Sequence, residues 1–160
     1  MQPAKISLED AGLVYDARSR PTSESFCSFV SPCVLSNGTV LCSFQNGSRK
    51  HAVDSTVRIC RSRDQGQTWS ELPFQFERTL GGVPGSFSSG EIIEIRPGQL
   101  LMIATWFDRS DPDQPLFDPE TEGILHSRQL AAESTDEGDT WTDWREFPIA
   151  ICVAAPAPAR

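Results

Sequence analysis

The sequence predicts an all-β protein made of antiparallel four-stranded units, and three observations lead to that prediction. The pattern Ser-x-Asp-x-Gly-x-Thr-Trp occurs at 62–69 and again at 134–141, with all five fixed positions matching. Short apolar or alternating segments, separated by Gly, Pro and Asn, precede each copy, as is typical of strands and tight turns. No long window shows helical periodicity. The order strand, turn, strand, loop, strand, patterned turn, strand therefore occurs twice.

The patterned segment, called the repeated turn below, contains residue types that suit a tight connection between two strands. An Asp carboxylate accepts hydrogen bonds from N–H groups a few residues on, and Ser and Thr hydroxyls make further local bonds. Gly adopts the positive φ that other residues resist, and a Trp ring is buried beneath the turn. We therefore predict a structural role, without chemistry, for Ser62, Asp64, Gly66, Thr68, Trp69, Ser134, Asp136, Gly138, Thr140 and Trp141.

The first unit is predicted to span 26–80, after an irregular segment at 1–25. Asn37-Gly38 lies between apolar segments and is a strong hairpin signal. A polar loop follows at 45–54, and the alternation at 55–60 predicts a third strand with Val57 and Ile59 on one face. The fourth strand is expected near 72–76.

The second unit is predicted to span 81–150, with its first strand at 90–95 and a turn at Pro97-Gly98. The continuous apolar segment 100–107 predicts a strand buried on both faces. A polar loop at 108–123, a third strand within 124–133 and a fourth strand at 141–147 complete the unit. Residues 151–160, rich in Pro and Ala, are interpreted as a linker or a truncation end.

Composition excludes several classes of partner. The formal net charge is −8 and no basic segment occurs, which argues against nucleic acid and against an anionic membrane surface. No apolar segment approaches the ~20 residues that span a bilayer. The first ten residues do not resemble a signal peptide, which predicts a cytoplasmic protein. Five scattered cysteines predict buried free thiols, with no metal and no cofactor.

The repeated turn resembles the Asp box, or BNR repeat, of the sialidase (neuraminidase) superfamily. In that family the box lies between the third and fourth strands of a propeller blade. The resemblance implies a six-bladed β-propeller, of which this chain would hold about two blades as an N-terminal fragment. A β-sandwich of two repeats is the alternative. Open blades expose edges and faces, which predicts association with missing blades of the same protein or self-association.

The resemblance also implies a ligand site on the propeller axis, near the loops that join the second and third strands. The family's Phe/Tyr-Arg-Ile-Pro motif is matched by the segment 29–32, in which Val30 replaces the carboxylate-binding Arg. Arg49 falls where the family has a further active-site Arg. Asp54 falls at the position of the acid/base Asp, and Asp108 at that of an active-site Asp in the second blade.

Arg109 and Glu91 are further candidates for binding a substrate. Arg109 belongs to the loop at 108–123, and Glu91 lies at the start of a predicted strand. Each candidate has a structural alternative: Asp54 caps its loop, and Arg49 and Arg109 are solvated loop charges. The acidic residues of the second loop favour solvation over calcium binding; they are Asp108, Asp111, Asp113, Asp118, Glu120 and Glu122.

Two functions follow from the resemblance. The first is a sialidase-like exo-glycosidase that hydrolyses a terminal sugar, with Asp54 donating and then accepting a proton. The second is a non-catalytic propeller that binds carbohydrate or protein. Val30 makes a substrate other than sialic acid an open alternative. The family's Tyr nucleophile lies in blades that this chain lacks, and Tyr15 precedes the first blade, so the chain alone is predicted to be inactive.

Overall fold

The computed structural model describes residues 12–147, which form two antiparallel four-stranded sheets. The all-β prediction is confirmed, and the only helical element in this part of the chain is a 3-10 turn at Thr22–Glu24. The first sheet contains β1 (Phe26–Val34), β2 (Val40–Gly47), β3 (Thr56–Ser62) and β4 (Ser70–Glu71). The second contains β5 (Gly85–Arg96), β6 (Gln99–Asp108), β7 (Ser127–Ser134) and β8 (Arg145–Glu146).

Each sheet is a simple meander in which consecutive strands pair. The backbone of the second sheet approaches the first through β5, which packs beside β1, β2 and β3. A β-sandwich would overlay the two sheets across several strands, so the sandwich alternative does not fit. The arrangement is that of neighbouring propeller blades that do not close a ring.

Both predicted hairpin turns are present. In the first, Gly38 has a φ of +88° and its N–H donates to the Leu35 carbonyl at 2.9 Å. In the second, Gly98 has a φ of +77° and its N–H donates to Glu94 Oε1 at 2.9 Å. Glycine is favoured at both positions because residues with a Cβ resist positive φ.

The main core lies between the sheets. Val57, Ile59 and Leu72 of the first sheet region pack with buried side chains of the second, which include Ile92 and Met102. Gly90 permits this approach, because a Cβ atom there would lie 2.9 Å from Val57 Cγ1. The prediction that Val57 and Ile59 share a buried face is confirmed.

The outer face of the first sheet is covered by the segment that precedes it. Val14 and Tyr15 pack against a second cluster formed by Cys42, Phe44 and Cys60. Ion pairs anchor this segment: Arg58 contacts Glu24 at 2.7 Å and Glu71 at 2.5 Å, and Arg20 contacts Glu71 at 2.8 Å. Buried thiols are confirmed for Cys42 and Cys60, whereas Cys27 is exposed and Cys33 half-buried. Cys152 lies outside the described residues.

Strand β6 corrects the prediction of burial on both faces. Leu100, Met102, Ala104 and Trp106 are buried, but the side chains between them are only half-buried. Among residues 12–147 no segment covers the outer face of the second sheet. By contrast, β2 is buried on both faces because Tyr15 and its neighbours cover it.

The fourth strands are shorter than predicted. Their ladders contain only 70–71 and 145–146, whereas the sequence predicted 72–76 and 141–147. The Leu72 N–H still donates to the Ile59 carbonyl and the Phe147 N–H to the Gln129 carbonyl, but the side chains of Leu72, Phe76 and Trp141 enter the core. No helix in the described part of the chain is long and apolar enough to cross a membrane.

Candidate functional site

The two long loops meet beside a pocket of about 390 Å³. The β2–β3 loop lines it with residues 49–51 and 53, and the β6–β7 loop with residues 109 and 112–117. The second loop is shaped by a backbone bridge between Phe117 and Ile124. A pocket of this volume suits a small ligand such as a single sugar ring.

Arg109 lines the pocket and connects the two loops through a hydrogen bond. Its side chain is only 5% exposed, its Nε donates to Ser86 Oγ at 2.8 Å, and its Nη2 donates to the His51 carbonyl at 3.0 Å. Within residues 12–147 no carboxylate lies within ion-pair distance of this guanidinium. Burial and the nearby Arg49 lower the pKa of Arg109, although a guanidinium stays charged at neutral pH. A buried charge held by neutral acceptors is costly unless an anion joins it.

The charge of the pocket opposes the charge of the whole chain. Arg49, Lys50 and Arg109 line it with positive charge and Asp113 with negative charge, which leaves +3 − 1 = +2 on a chain whose net charge is −8. Arg49 and Lys50 are exposed, so both can move toward a ligand. This local excess of positive charge favours an anionic group in the pocket.

His51 lies at the centre of an aromatic group. Its ring is 5.4 Å from that of Phe29 and 5.8 Å from that of Phe117, centroid to centroid. The Lys50 ammonium lies 5.5 Å from the Phe29 ring centroid. Burial, followed by the charges of Lys50 and Arg109, lowers the pKa of His51, so the imidazole is neutral at pH 7.

The Asp54 side chain holds the end of the β2–β3 loop against its start. Its Oδ1 accepts hydrogen bonds from both the backbone N–H and the hydroxyl of Ser48, each at 3.0 Å. The side chain is half-buried and does not line the pocket. Val30, at the position of the family's Arg, is exposed on β1 and does not line the pocket either.

Asp108 and Glu91 also lie away from the pocket lining. Asp108 Oδ1 accepts bonds from the hydroxyl and the N–H of Ser110, and these bonds lower the pKa of Asp108. Glu91 is exposed opposite Ile103 in the middle of β5. The prediction that Glu91 begins this strand is wrong, because β5 starts at Gly85. Of the predicted site residues, Arg49 and Arg109 share the pocket.

The acidic β6–β7 loop uses its carboxylates to hold its own backbone. Asp111 Oδ1 accepts from the Asp113 N–H at 3.0 Å, and Asp118 Oδ1 accepts from the N–H groups of Glu120 and Thr121. In the described residues no three His, Cys, Asp or Glu side chains are grouped as metal ligands.

Sequence reasoning did not identify Phe29 and Phe117 as residues of the site. Phe29 reaches it through a bulge in β1 between Ser28 and Ser31. Phe117 reaches it through the fold of the acidic loop. Neither feature leaves a periodic signal in the sequence.

No family model and no curated protein match the chain. A solved structure of a Dyadobacter fermentans protein of unknown function is similar, with a TM-score of 0.47 and 19% identity over 72% of this chain and 26% of that one.

Two fungal enzymes are also similar. The α-L-arabinofuranosidase of Fusarium graminearum has a TM-score of 0.37 and 13% identity over 79% of this chain and 50% of that one. The α-L-arabinanase of Penicillium chrysogenum has a TM-score of 0.33 and 14% identity over 79% and 51%. The chain therefore spans about a quarter to a half of the length of these structures.

Proposed function

We propose that this chain is part of a sialidase-like exo-glycosidase whose pocket binds an anionic terminal sugar. The observation that carries the proposal is the buried guanidinium of Arg109, which has no carboxylate partner among residues 12–147 and lies beside the exposed Arg49 and Lys50. A sugar carboxylate would supply the missing negative charge, and guanidinium groups bind carboxylates through paired N–H donors. The repeated turns, read as Asp boxes, support the same family.

Asp54 is the candidate acid/base in this proposal. Both of its hydrogen bonds use Oδ1, so Oδ2 has no partner among the described residues. Asp54 is the last residue of the loop that carries Arg49 and His51. A sugar bound beside those two residues would have to extend along the loop to reach Asp54. Tyr15 is an unsuitable nucleophile, because its ring packs 5.2 Å from that of Phe44 on the outer face of the first sheet. The nucleophile is expected in later blades of a longer protein.

A specific observation favours a second candidate, a non-catalytic carbohydrate-binding propeller. Asp54 and Asp108 are both bonded to serines of their own loops, and neither lines the pocket. In this function Arg49, Lys50 and Arg109 would bind the sugar, and no proton would be transferred.

The experiment compares binding with turnover. Calorimetric titration of the chain with N-acetylneuraminic acid, glucuronic acid and galactose should show binding of one or both acid sugars and none of galactose. Arg49→Ala should weaken that binding, whereas Arg96→Ala, which removes an exposed Arg at the β5–β6 turn, should not. Equal affinity for acidic and neutral sugars would contradict the proposal.

The longer protein is then assayed with 4-methylumbelliferyl glycosides of the same three sugars. If Asp54 is the acid/base, Asp54→Asn lowers the rate by about 10²- to 10⁴-fold. Asp139→Asn, at an exposed carboxylate of the second repeated turn, is the control. Binding without turnover by the longer protein favours the second candidate. Equal rates for wild type and Asp54→Asn would remove this residue from the mechanism.

A further inference from the structure

Three aromatic side chains lie in or beside the candidate pocket. His51 and Phe117 line it, and the His51 ring is near both the Phe117 ring and the Phe29 ring, which is outside the lining. Phe29 is 42% exposed and Phe117 52% exposed. If the three rings served only to pack the loops together, burial would be expected, since exposed apolar surface gains nothing from the hydrophobic effect.

The backbone under two of these rings is strained. Phe29 has a φ of +53° and His51 a φ of +57°, a left-handed conformation that is unfavourable for residues with a Cβ. Two of the other non-glycine residues with positive φ, Gln65 and Glu137, occupy the same place in the two repeated turns, where the turn itself explains them. Phe29 lies in the bulge of β1, and His51 lies in a turn closed by a 3.2 Å hydrogen bond from the Ala52 N–H to the Arg49 carbonyl. These two different local conformations place the rings 5.4 Å apart, centroid to centroid, and such strain is concentrated at ligand sites.

We infer that Phe29, His51 and Phe117 form a stacking surface for a second sugar ring, linked to the anionic sugar in the pocket. This inference rests on the proposed function. The ligand is then an oligosaccharide or glycoconjugate with a terminal acid sugar, and the free acid sugar fills only part of the site.

The chemistry of the two regions supports this division. The apolar C–H face of a pyranose suits an aromatic ring, while its hydroxyl groups stay in water. The neutral imidazole of His51 extends the surface without adding charge. Arg49 and Arg109 line the same pocket as Phe117, so a charged ring and a neutral ring fit next to each other.

The test uses two matched pairs of probes, each an acid sugar with a larger glycan that carries it: N-acetylneuraminic acid with sialyllactose, and glucuronic acid with the unsulfated chondroitin disaccharide. The chain is titrated with each by calorimetry. In at least one pair the larger glycan should bind more tightly. Phe29→Ala, at a ring that does not line the charged pocket, should weaken binding of the larger glycan by about 2- to 10-fold, from the strength of aromatic contacts, and leave the acid sugar unaffected. Phe29→Trp should retain the preference.

Phe147→Ala is the matched control, because Phe147 is also 42% exposed and lies beside β8, where its N–H bonds to the Gln129 carbonyl. This variant should bind all four probes as wild type does. Thermal unfolding of each variant confirms that it is folded.

Each other outcome overturns the inference. Unchanged binding by Phe29→Ala would show that no sugar ring stacks there. An equal loss for acid sugar and glycan would mean that Phe29 acts only by shaping the charged pocket. Binding of none of the four probes by wild type would overturn the proposed function and this inference with it, which is distinguishable from the first two results.

Discussion

The two repeated turns have the same internal hydrogen bonds in different surroundings. In each, the Asp carboxylate accepts from the Thr N–H and hydroxyl and from the Ser hydroxyl, and the Trp indole N–H donates to the Gly carbonyl. The Trp–Gly bond is 3.0 Å in both. Trp69, however, is half-buried beside the second cluster, whereas Trp141 is buried in the main core.

The second turn also contacts the first sheet. Arg61 pairs with Asp139 at 2.9 Å, and Glu137 accepts from both Arg63 and Asn37. A Cβ atom at Gly138 would lie 3.3 Å from Leu72. Local bonds therefore determine the shape of the turn, while neighbouring side chains determine how much each residue stabilises the protein.

The largest difference is expected between the two tryptophans. Trp141→Ala should lower the free energy of unfolding by about 3–5 kcal/mol, the range for a buried aromatic side chain. Trp69→Ala should lower the free energy of unfolding by less, because that ring already contacts water in the folded state. Denaturation with urea measures both. Equal losses would show that the surroundings of the turn do not matter.

The two glycines give the next difference. Gly66 and Gly138 have φ values of +90° and +87°, so alanine at either position should cost about 1–2 kcal/mol through backbone strain. Gly138→Ala should cost more, because its methyl group meets Leu72, whereas at Gly66 the nearest atom is 3.8 Å away on Trp69. The same urea denaturation compares them, and a larger loss for Gly66→Ala would contradict the expected order.

The pH dependence should be similar in the two turns. Bonds from the Thr68 hydroxyl and N–H, followed by Ser62, lower the pKa of Asp64 to about 2. Partial burial raises the pKa of Asp136, but bonds from Thr140 and Ser134 outweigh it and the net shift is downward. A lowered pKa in the folded state stabilises the protein above the unfolded pKa of about 4. That stabilisation is lost as the pH falls toward 2.

Asp64→Asn and Asp136→Asn should therefore flatten the dependence of unfolding free energy on pH between about 4 and 2, measured by urea denaturation at several pH values. Asp113→Asn is the control outside the turns. An unchanged slope in both turn variants would contradict the role of these carboxylates.

The smallest effect is expected at the contact between the two turns. Arg63 and Glu137 form a 2.9 Å ion pair in which the Arg side chain is largely exposed. A double-mutant cycle with alanine should give a coupling of about 0.2–1 kcal/mol, decreasing with added salt. A coupling of several kcal/mol would mean that this pair, and not the core, joins the two sheets.

Much of the fold was predictable from local sequence, because both hairpin turns and both repeated turns are determined by residues close together in the chain. The fourth strands and the burial of β6 were not, because they depend on where Leu72 and Trp141 pack and on which faces are covered. Arg49 and Arg109 were recognised as site candidates from their loops. The burial of Arg109 and the grouping of Phe29 with Phe117 arise only when the two loops meet.

The two sheets differ in which of their faces are covered by other parts of the chain. Val40 pairs with Ser62 as Leu100 pairs with Ser134, so Leu101 and Ile103 are the counterparts of Leu41 and Ser43.

Leu41 and Ser43 face the next sheet along the chain, and the Ser43 hydroxyl donates to the Gly90 carbonyl at 2.5 Å. The opposite face of the first sheet corresponds to the face of the second sheet that packs in the main core. In the first sheet, Tyr15 covers that face. A third sheet of the same kind could therefore pack directly on Leu101 and Ile103, whereas the corresponding contact on the first sheet would be made through Val14 and Tyr15.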